Sequence, residues 1–368
     1  MTQRTPFYQH HVDLGGKIVD FAGWDMPIQY TTITQEHNAV RNAAGLFDIS
    51  HMGQVFVWGP EAESYLQFLV SNDVRKATLG KGVYAHLLNE KGGVIDDIFV
   101  YRVEYDKFLV IVNASRKDVD MAWMQKYIAG FDATMTEAPY AAGLALQGPS
   151  SVDMIAKLSP NAAQLPRFGI GDFQIGDVSS LIARTGYTGE DGFEFFAPGG
   201  HMLQIWDLLF KAGAGRGFMP AGLGARDTLR TEAAYPLYGH ELDENHTPFE
   251  AGLSWVVKLD KDKFIGKDAL VKQKAAGIKT KLRGFKVTAG GVARPGGTIL
   301  LNGKEAGTVA SGTFAPTLNV AIGMAYLPAD VADGAPLVIM QGTRELSGSI
   351  VKLPFYSKQI VIPAKAGI

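Results

Sequence analysis

Two rhythms of apolar and polar positions divide this chain, one with the period of a helix and one with the period of a strand. The first helical stretch is expected from Ile33 to Ala44, where Thr32 and Gln35 form a capping-box pair and Gly45 supplies the stop. "GQVFVWG" then reads as a strand, and Pro60 opens a helix running through Leu69. From Gly82 to Ser115 the β-branched and aromatic residues fall into three strands, with turns at Asn89 to Gly93 and near Glu104 to Lys107. A helix beginning at Ser115 is expected to present Val119, Trp123 and Tyr127 on one face.

The style repeats downstream. "AAGLALQGPSS" predicts a strand, a turn and a helix, and "SSLIARTGYTGEDGFEFFAPG" predicts a hairpin with a wide glycine-rich tip. Helices are expected near Met202 to Lys211 and across "GLGARDTLRTEAA". After about Leu259 a lysine-rich segment carries a short helix. Short strands separated by Gly and Pro then follow through Pro354, as in a small barrel or sandwich. Strands and helices mix without regular βαβ alternation, so the predicted class is α+β.

Length refines this picture: 368 residues suit two or three domains, each with its own core. A hydrophobic fraction of 46% with 20% charged residues is that of an ordinary globular chain. The formal net charge of -2 argues against duplex nucleic acid as a partner. Absence of cysteine removes disulfides, thiolate metal sites and a cysteine nucleophile, and fits a reducing compartment. The first residues carry no signal-peptide core and no apolar run nears the ~20 residues that span a bilayer, so a cytoplasmic protein without membrane contact is expected.

Three stretches carry candidate chemistry. In "GGVIDDIFVYR", Asp96 and Asp97 are adjacent on a strand that is otherwise apolar on both faces. Alternation puts Val94, Asp96, Ile98 and Val100 on one face, and Ile95, Asp97, Phe99 and Tyr101 on the other. Either one Asp faces solvent while the other caps a turn or pairs with a basic residue, or a carboxylate is held facing a cavity, where desolvation raises its proton affinity. "RTGYTGEDGFE" places Tyr187 and Glu194 around a glycine-rich hairpin without the Gly-Lys-Ser/Thr of a phosphate loop. A single carboxylate there suits the two parallel N–H donors of a guanidine-like heterocycle such as pterin, with an acidic tip in solvent as the plain alternative. In "GLGARDTLRTEAAYPLYGHELDE", Arg226 and Arg230 share a helix face and would anchor an acidic ligand or form ion pairs. The histidines show no metal-site spacing, and no Gly-x-Ser-x-Gly elbow is present. Lys258, Lys261, Lys263 and Lys267 form a basic cluster that reads as a solvated face or as a dock for an acidic carrier protein.

Taken together, "RTPFY", "DFAGWDMPIQY", "GLFDISHMG", "GGVIDDIFVYR", "LALQGPSS", "RTGYTGEDGFE", "GLGARDTLRTEAAYPLYGHELDE", "TPFEAGLSWVV" and "SGTFAPTLNVAIGMAYLP" resemble the glycine cleavage T-protein (aminomethyltransferase) family, in family order and over nearly the whole chain. The resemblance implies three domains in a clover-leaf around a central folate-binding channel. These would be residues 1–50 with 143–255 (folate-binding, α+β, discontinuous), 51–142 (α+β, carrying the catalytic strand) and 256–368 (mostly β, barrel or jelly-roll-like). It implies transfer of the one-carbon unit from the aminomethyl-lipoyl arm of the H protein to tetrahydrofolate, with release of ammonia and formation of methylenetetrahydrofolate. Asp97 matches the family's functional aspartate. Tyr187, Glu194 and Arg226 match its pterin-binding groups, and Met52, Tyr84, Phe99, Tyr101 and Asn113 its channel lining. Tetrahydrofolate is the acceptor and no metal is expected. The chain departs from the family's pattern at Thr231 and Ala234, where leucine and glycine are expected, and at Arg294–Pro295. A folate-dependent demethylase on the same fold is the alternative. A folate-binding accessory protein is disfavoured, because its Lys-Gly-Cys-Tyr-Thr-Gly-Gln-Glu signature is missing.

Overall fold

The computed structural model describes residues 2–138 and 141–358. Residues 139–140, within the expected second domain, and 359–368, within the expected third, lie outside the described residues, as does Met1. The architecture is α+β: a three-stranded, a five-stranded and a six-stranded sheet, followed by a closed barrel.

The five-stranded sheet runs Lys81–Leu88, Val94–Glu104, Lys107–Val112, Gly53–Trp58 and Thr134–Glu137 in spatial order. Its first three strands are the hairpins expected from the turn residues, and Asn89 anchors the first turn by accepting from the backbone N–H of both Lys91 and Gly93 at 3.0 Å. One face packs on helices Ala62–Leu69 and Lys117–Ile128 through Tyr65, Leu66, Leu69, Ile98, Val100 and Met124. The buried stripe of the second helix is Asp120, Met124 and Ile128. The expected Val119, Trp123, Tyr127 face lies one residue round: Val119 is exposed, and both aromatics cover the edge of the core while Lys126 sits over their rings. An acidic residue at the centre of the stripe disguised it.

The six-stranded sheet runs Ile170–Ile175, Val178–Ala183, Gly192–Pro198, Ala141–Gln147, Gly45–Asp48 and Met219–Pro220. Helices Ser151–Leu158 and Gly199–Gly213 bury its other face with Met154, Ile155, Ile205, Trp206 and Leu209. Helix Ile33–Asn42 starts at the predicted cap, with Thr32 Oγ1 accepting from the Gln35 N–H at 3.2 Å. A further apolar cluster joins the two large sheets, with Tyr101, Leu109 and Ile111 against Phe47, Ile49, Ala145 and Phe196. The small sheet, made of Gln3–Arg4, Trp24–Gln29 and Lys17–Phe21, had no counterpart in the sequence reading.

Past helix Lys267–Ala276, six strands close into a barrel in the order Thr280–Ala289, Val320–Pro328, Lys304–Ala315, Thr298–Leu301, Pro336–Gln341 and Arg344–Val351. Its interior holds Phe285, Ile299, Leu327, Ile339 and Ile350. Hydrogen bonds from buried charged side chains tie the barrel to helix Leu223–Glu232. Arg230 donates to Ser311 Oγ at 2.8 Å and to Glu241 at 2.7 Å, and Glu232 accepts from the Thr317 N–H at 2.9 Å. Among the described residues no helix is long and apolar enough to cross a membrane.

Candidate active site

Where the two large sheets, helix Leu223–Glu232 and the barrel meet, a cavity of about 790 Å³ opens. The nine residues that the resemblance assigned to the site all line it: Met52, Tyr84, Asp97, Phe99, Tyr101, Asn113, Tyr187, Glu194 and Arg226. They come from segments up to 174 residues apart, and only folding brings them to one wall.

The strand Val94–Glu104 sorts the two aspartates as alternation requires from Asp96 to Tyr101. Asp97, Phe99 and Tyr101 face the cavity, while Asp96 is fully buried on the side of helix Lys117–Ile128. The alternation fails at Ile95. Leu87 and Leu88 pair with Asp96 and Val94, so Ile95 is the extra residue of a bulge and packs in the core instead of on the Asp97 face.

Asp97 is held at both oxygens. Tyr84 Oη donates to Oδ2 at 2.9 Å and Asn113 Nδ2 donates to Oδ1 at 3.0 Å. The same amide donates to Asp96 Oδ1 at 2.8 Å, and the Asn113 N–H donates to Asp96 Oδ2 at 3.0 Å. Burial, and then the charge of Asp96, push the Asp97 carboxyl up to about 7. That value suits a group exchanging a proton near neutrality.

Opposite stands the hairpin. Its acidic tip is not in solvent: Arg184 grips Asp191, and Glu190 accepts from Arg41 at 3.0 Å and from Tyr356 Oη at 2.7 Å. The loop wraps on Gln147, which donates to the Thr185 carbonyl at 3.0 Å and accepts from Thr188 Oγ1 at 2.9 Å. Gly186 is needed there, since a Cβ would lie 1.9 Å from the Gln147 amide oxygen. So held, the loop turns Thr185 and Tyr187 into the cavity. Glu194 accepts from Thr185 Oγ1, which is also bonded to Tyr101 Oη at 2.8 Å, and burial raises its carboxyl above the usual range.

The two arginines have separate fates. Arg230 is consumed by Glu241 and Asp227, at 2.7 and 2.8 Å. Arg226 forms no ion pair or side-chain hydrogen bond among the described residues, and its guanidinium lies 4.8 Å from the Tyr187 ring centre. An unpartnered guanidinium facing a buried carboxylate, flanked by aromatic rings, is a polar frame for a flat heterocycle. The rings are Tyr101 stacked on Phe99 at 4.8 Å and Tyr84 on Trp255 at 5.8 Å.

Several lining residues escaped the sequence reading, among them His51, Arg167, Phe168, Thr185, Trp255 and Arg283. Thr185 and Trp255 lie inside quoted motifs, and their hydrogen-bonding or aromatic character was the available signal. His51 has no partner at Nδ1 among the described residues, and burial, then Arg226, lower its imidazole to about 4. The basic cluster is not one solvated face either. Lys261 is buried, donating to the carbonyls of Val70 at 2.6 Å and Asn72 at 2.8 Å. Among the described residues no group of three or more His, Asp or Glu side chains is placed to hold a metal.

The fold and cavity together define a barrel-tailed α+β enzyme with a carboxylate–amide–tyrosine cluster facing a carboxylate–guanidinium pair. The family profile described as the GCVT N-terminal domain matches residues 7–261, and that of the glycine cleavage T-protein C-terminal barrel domain matches 280–357. An aminomethyltransferase of Halothermothrix orenii is 44% identical over 355 residues, 96% of this chain and 99% of its own length. One from Thermotoga maritima is 42% identical over 357 residues, 96% of this chain and 98% of its own. The crystal structure of the glycine cleavage system aminomethyltransferase T from Bartonella henselae superimposes with a TM-score of 0.90 at 31% identity, covering 97% of this chain and 98% of that one. The chain belongs to the glycine cleavage T-protein family, and its activity is aminomethyl transfer in the glycine cleavage system.

Proposed function

We propose that the cavity binds tetrahydrofolate and that the aminomethyl donor is the lipoyl arm of the H protein, giving methylenetetrahydrofolate and ammonia. The observation that carries this reading is Asp97, a raised carboxyl held by Tyr84 and Asn113 across the cavity from the Glu194–Arg226 pair. Glu194 accepts the paired N–H donors of the pterin edge, and Arg226 meets an acceptor on the same ring. Met52, Phe99, Tyr101 and Tyr187 form the walls. The carbon's bonds to sulfur and to the amino nitrogen break as bonds to two folate nitrogens form, and the two protons those nitrogens lose end on the thiolate and on the departing ammonia. Asp97 faces one of these nitrogens, takes its proton as the bond to carbon forms, passes it to a leaving group, and balances the positive charge that develops on the one-carbon unit. The rest of the rate comes from bringing two large carriers together out of water. No protein nucleophile is needed. We further propose the division into residues 1–50 with 143–255, 51–142 and 256–368, supported by separate apolar clusters in each. A cytoplasmic location is supported by a chain without cysteine.

The test is paired. Tetrahydrofolate binding is measured by calorimetry, and methylenetetrahydrofolate formation from aminomethyl-lipoyl H protein is followed, for the parent and Asp97→Asn. Folate binding retained with turnover lost assigns Asp97 to the transfer step. A parent that does not bind folate ends the folate reading.

A further inference from the structure

Asp120 is the acidic residue in the apolar stripe of helix Lys117–Ile128. It is fully buried, and neither of its carboxyl oxygens has a donor among the described residues. A carboxylate in that position would be buried, charged and unpaired, at a cost of several kcal/mol. A neutral carboxylic acid has no such difficulty if its O–H finds an acceptor. An acceptor is at hand: Arg116, one turn before Asp120, donates to the Ile95 carbonyl at 3.0 Å and sets the helix against the strand beside Asp96, whose carboxyl raises the proton affinity of Asp120. Asp96 already accepts from the Asn113 N–H and Nδ2, so it is furnished as the anion of the pair.

We propose that Asp120 is a positioning residue that keeps a proton throughout the working pH range and gives it as a hydrogen bond to Asp96, making the two carboxyls one fixed negative charge behind Asp97. The consequence is directional. Asn113 is shared: its amide spans Asp96 and Asp97, at 2.8 and 3.0 Å. Asp120 thereby holds Asp96, Asp96 holds Asn113, and Asn113 orients Asp97 toward the cavity. The single charge on the pair raises the pH at which Asp97 gives up its own proton. Burial, and then the charge of Asp96, hold the Asp120 carboxyl far above the carboxylate range, in agreement.

The other titratable groups facing these carboxyls do not replace this role. Tyr84 donates to Asp97, and His86, paired opposite Asp97 in the adjoining strand, is kept neutral by burial. The Arg116 guanidinium, at the start of the helix, donates to the Ile95 carbonyl at 3.0 Å and to Glu244 at 2.7 Å and hydrogen-bonds neither Asp96 nor Asp120, while Tyr187 and Tyr238 are held protonated by burial.

The inference rests on reading Asp97 as the proton acceptor, and the experiment separates the two. Turnover is followed against pH for the parent, Asp120→Asn and Asp120→Leu, with folate affinity measured alongside. Asn retains a neutral donor, so its acid limb stays where the parent's is. Leu loses the donor, and turnover drops by about tenfold to a hundredfold while folate affinity holds. An acid limb moved down by about one unit or more in Asp120→Asn shows that a charge was removed, and overturns the proposal. Infrared spectra decide the proton independently of catalysis. A protonated-carboxyl stretch persisting at pH 9 in the parent and missing in Asp120→Asn supports it; no such band in the parent refutes it. That readout stands even where Asp97→Asn keeps turnover and the Asp97 reading fails, or where Asp120→Leu does not fold.

Discussion

Asp97→Asn changes one atom and tests both the chemistry and the electrostatics of the cavity. In the folded chain the Asp97 carboxyl lies at about 7 because of burial and then the charge of Asp96, against an ordinary value of 3.8. The folded state therefore binds this proton more tightly than the unfolded one. The sign follows: stability from this group is fully present below the unfolded value and is lost as pH rises toward about 7. Each unit is worth about 1.4 kcal/mol, and water in the cavity screens part of it, so about 2–4 kcal/mol is lost across the window. Asparagine does not ionise. Its oxygen takes the Asn113 amide and its NH2 turns to Tyr84 Oη, so both contacts survive. Urea unfolding at pH 5 and pH 8.5 should show the variant gaining on the parent by about 1–2.5 kcal/mol at the higher pH, because only the part of the window from pH 5 to about 7 lies between them. Turnover should fall about 10²–10⁴-fold, with the parent's acid limb near pH 7 abolished. Equal pH slopes of stability in parent and variant would refute the raised proton affinity, whatever the activity shows.

Arg226→Met should weaken folate binding about 10- to 150-fold by calorimetry while leaving the melting temperature nearly unchanged, because the guanidinium makes no ion pair among the described residues. Arg230→Met, one turn away, should do the opposite: it strands the buried Glu241 and costs about 3–5 kcal/mol in denaturant unfolding. Gly93→Ala should cost about 1–3 kcal/mol, since the new Cβ would sit 1.9 Å from the Glu244 carbonyl at the start of the Asp96 strand. Ala234→Gly should stabilise by up to about 1 kcal/mol in the same assay, because Ala234 stands at φ +56°. This is the position at which the sequence reading expected glycine.

Much of the secondary structure was written in local pattern. Turn residues at Asn89 to Gly93, the Thr32 cap and the period-two runs act over a few residues, so the hairpins and first helix follow from them. Alternation also separated Asp96 from Asp97 before any contact was known. Other features were decided only by packing. The bulge at Ile95 is set by its partner strand, and the buried stripe of Lys117–Ile128 runs through an aspartate that composition marks as surface. Whether Arg226 or Arg230 would be free depended on Glu241 and Ser311, 11 and 81 residues beyond Arg230. The proton affinity of Asp97 depends on burial beneath two sheets and a neighbouring charge. Sequence by itself determined residue types, periods and turns, which are short-range. Desolvation and long-range pairing exist only once distant segments exclude water together, and that is where the tertiary structure decided the site.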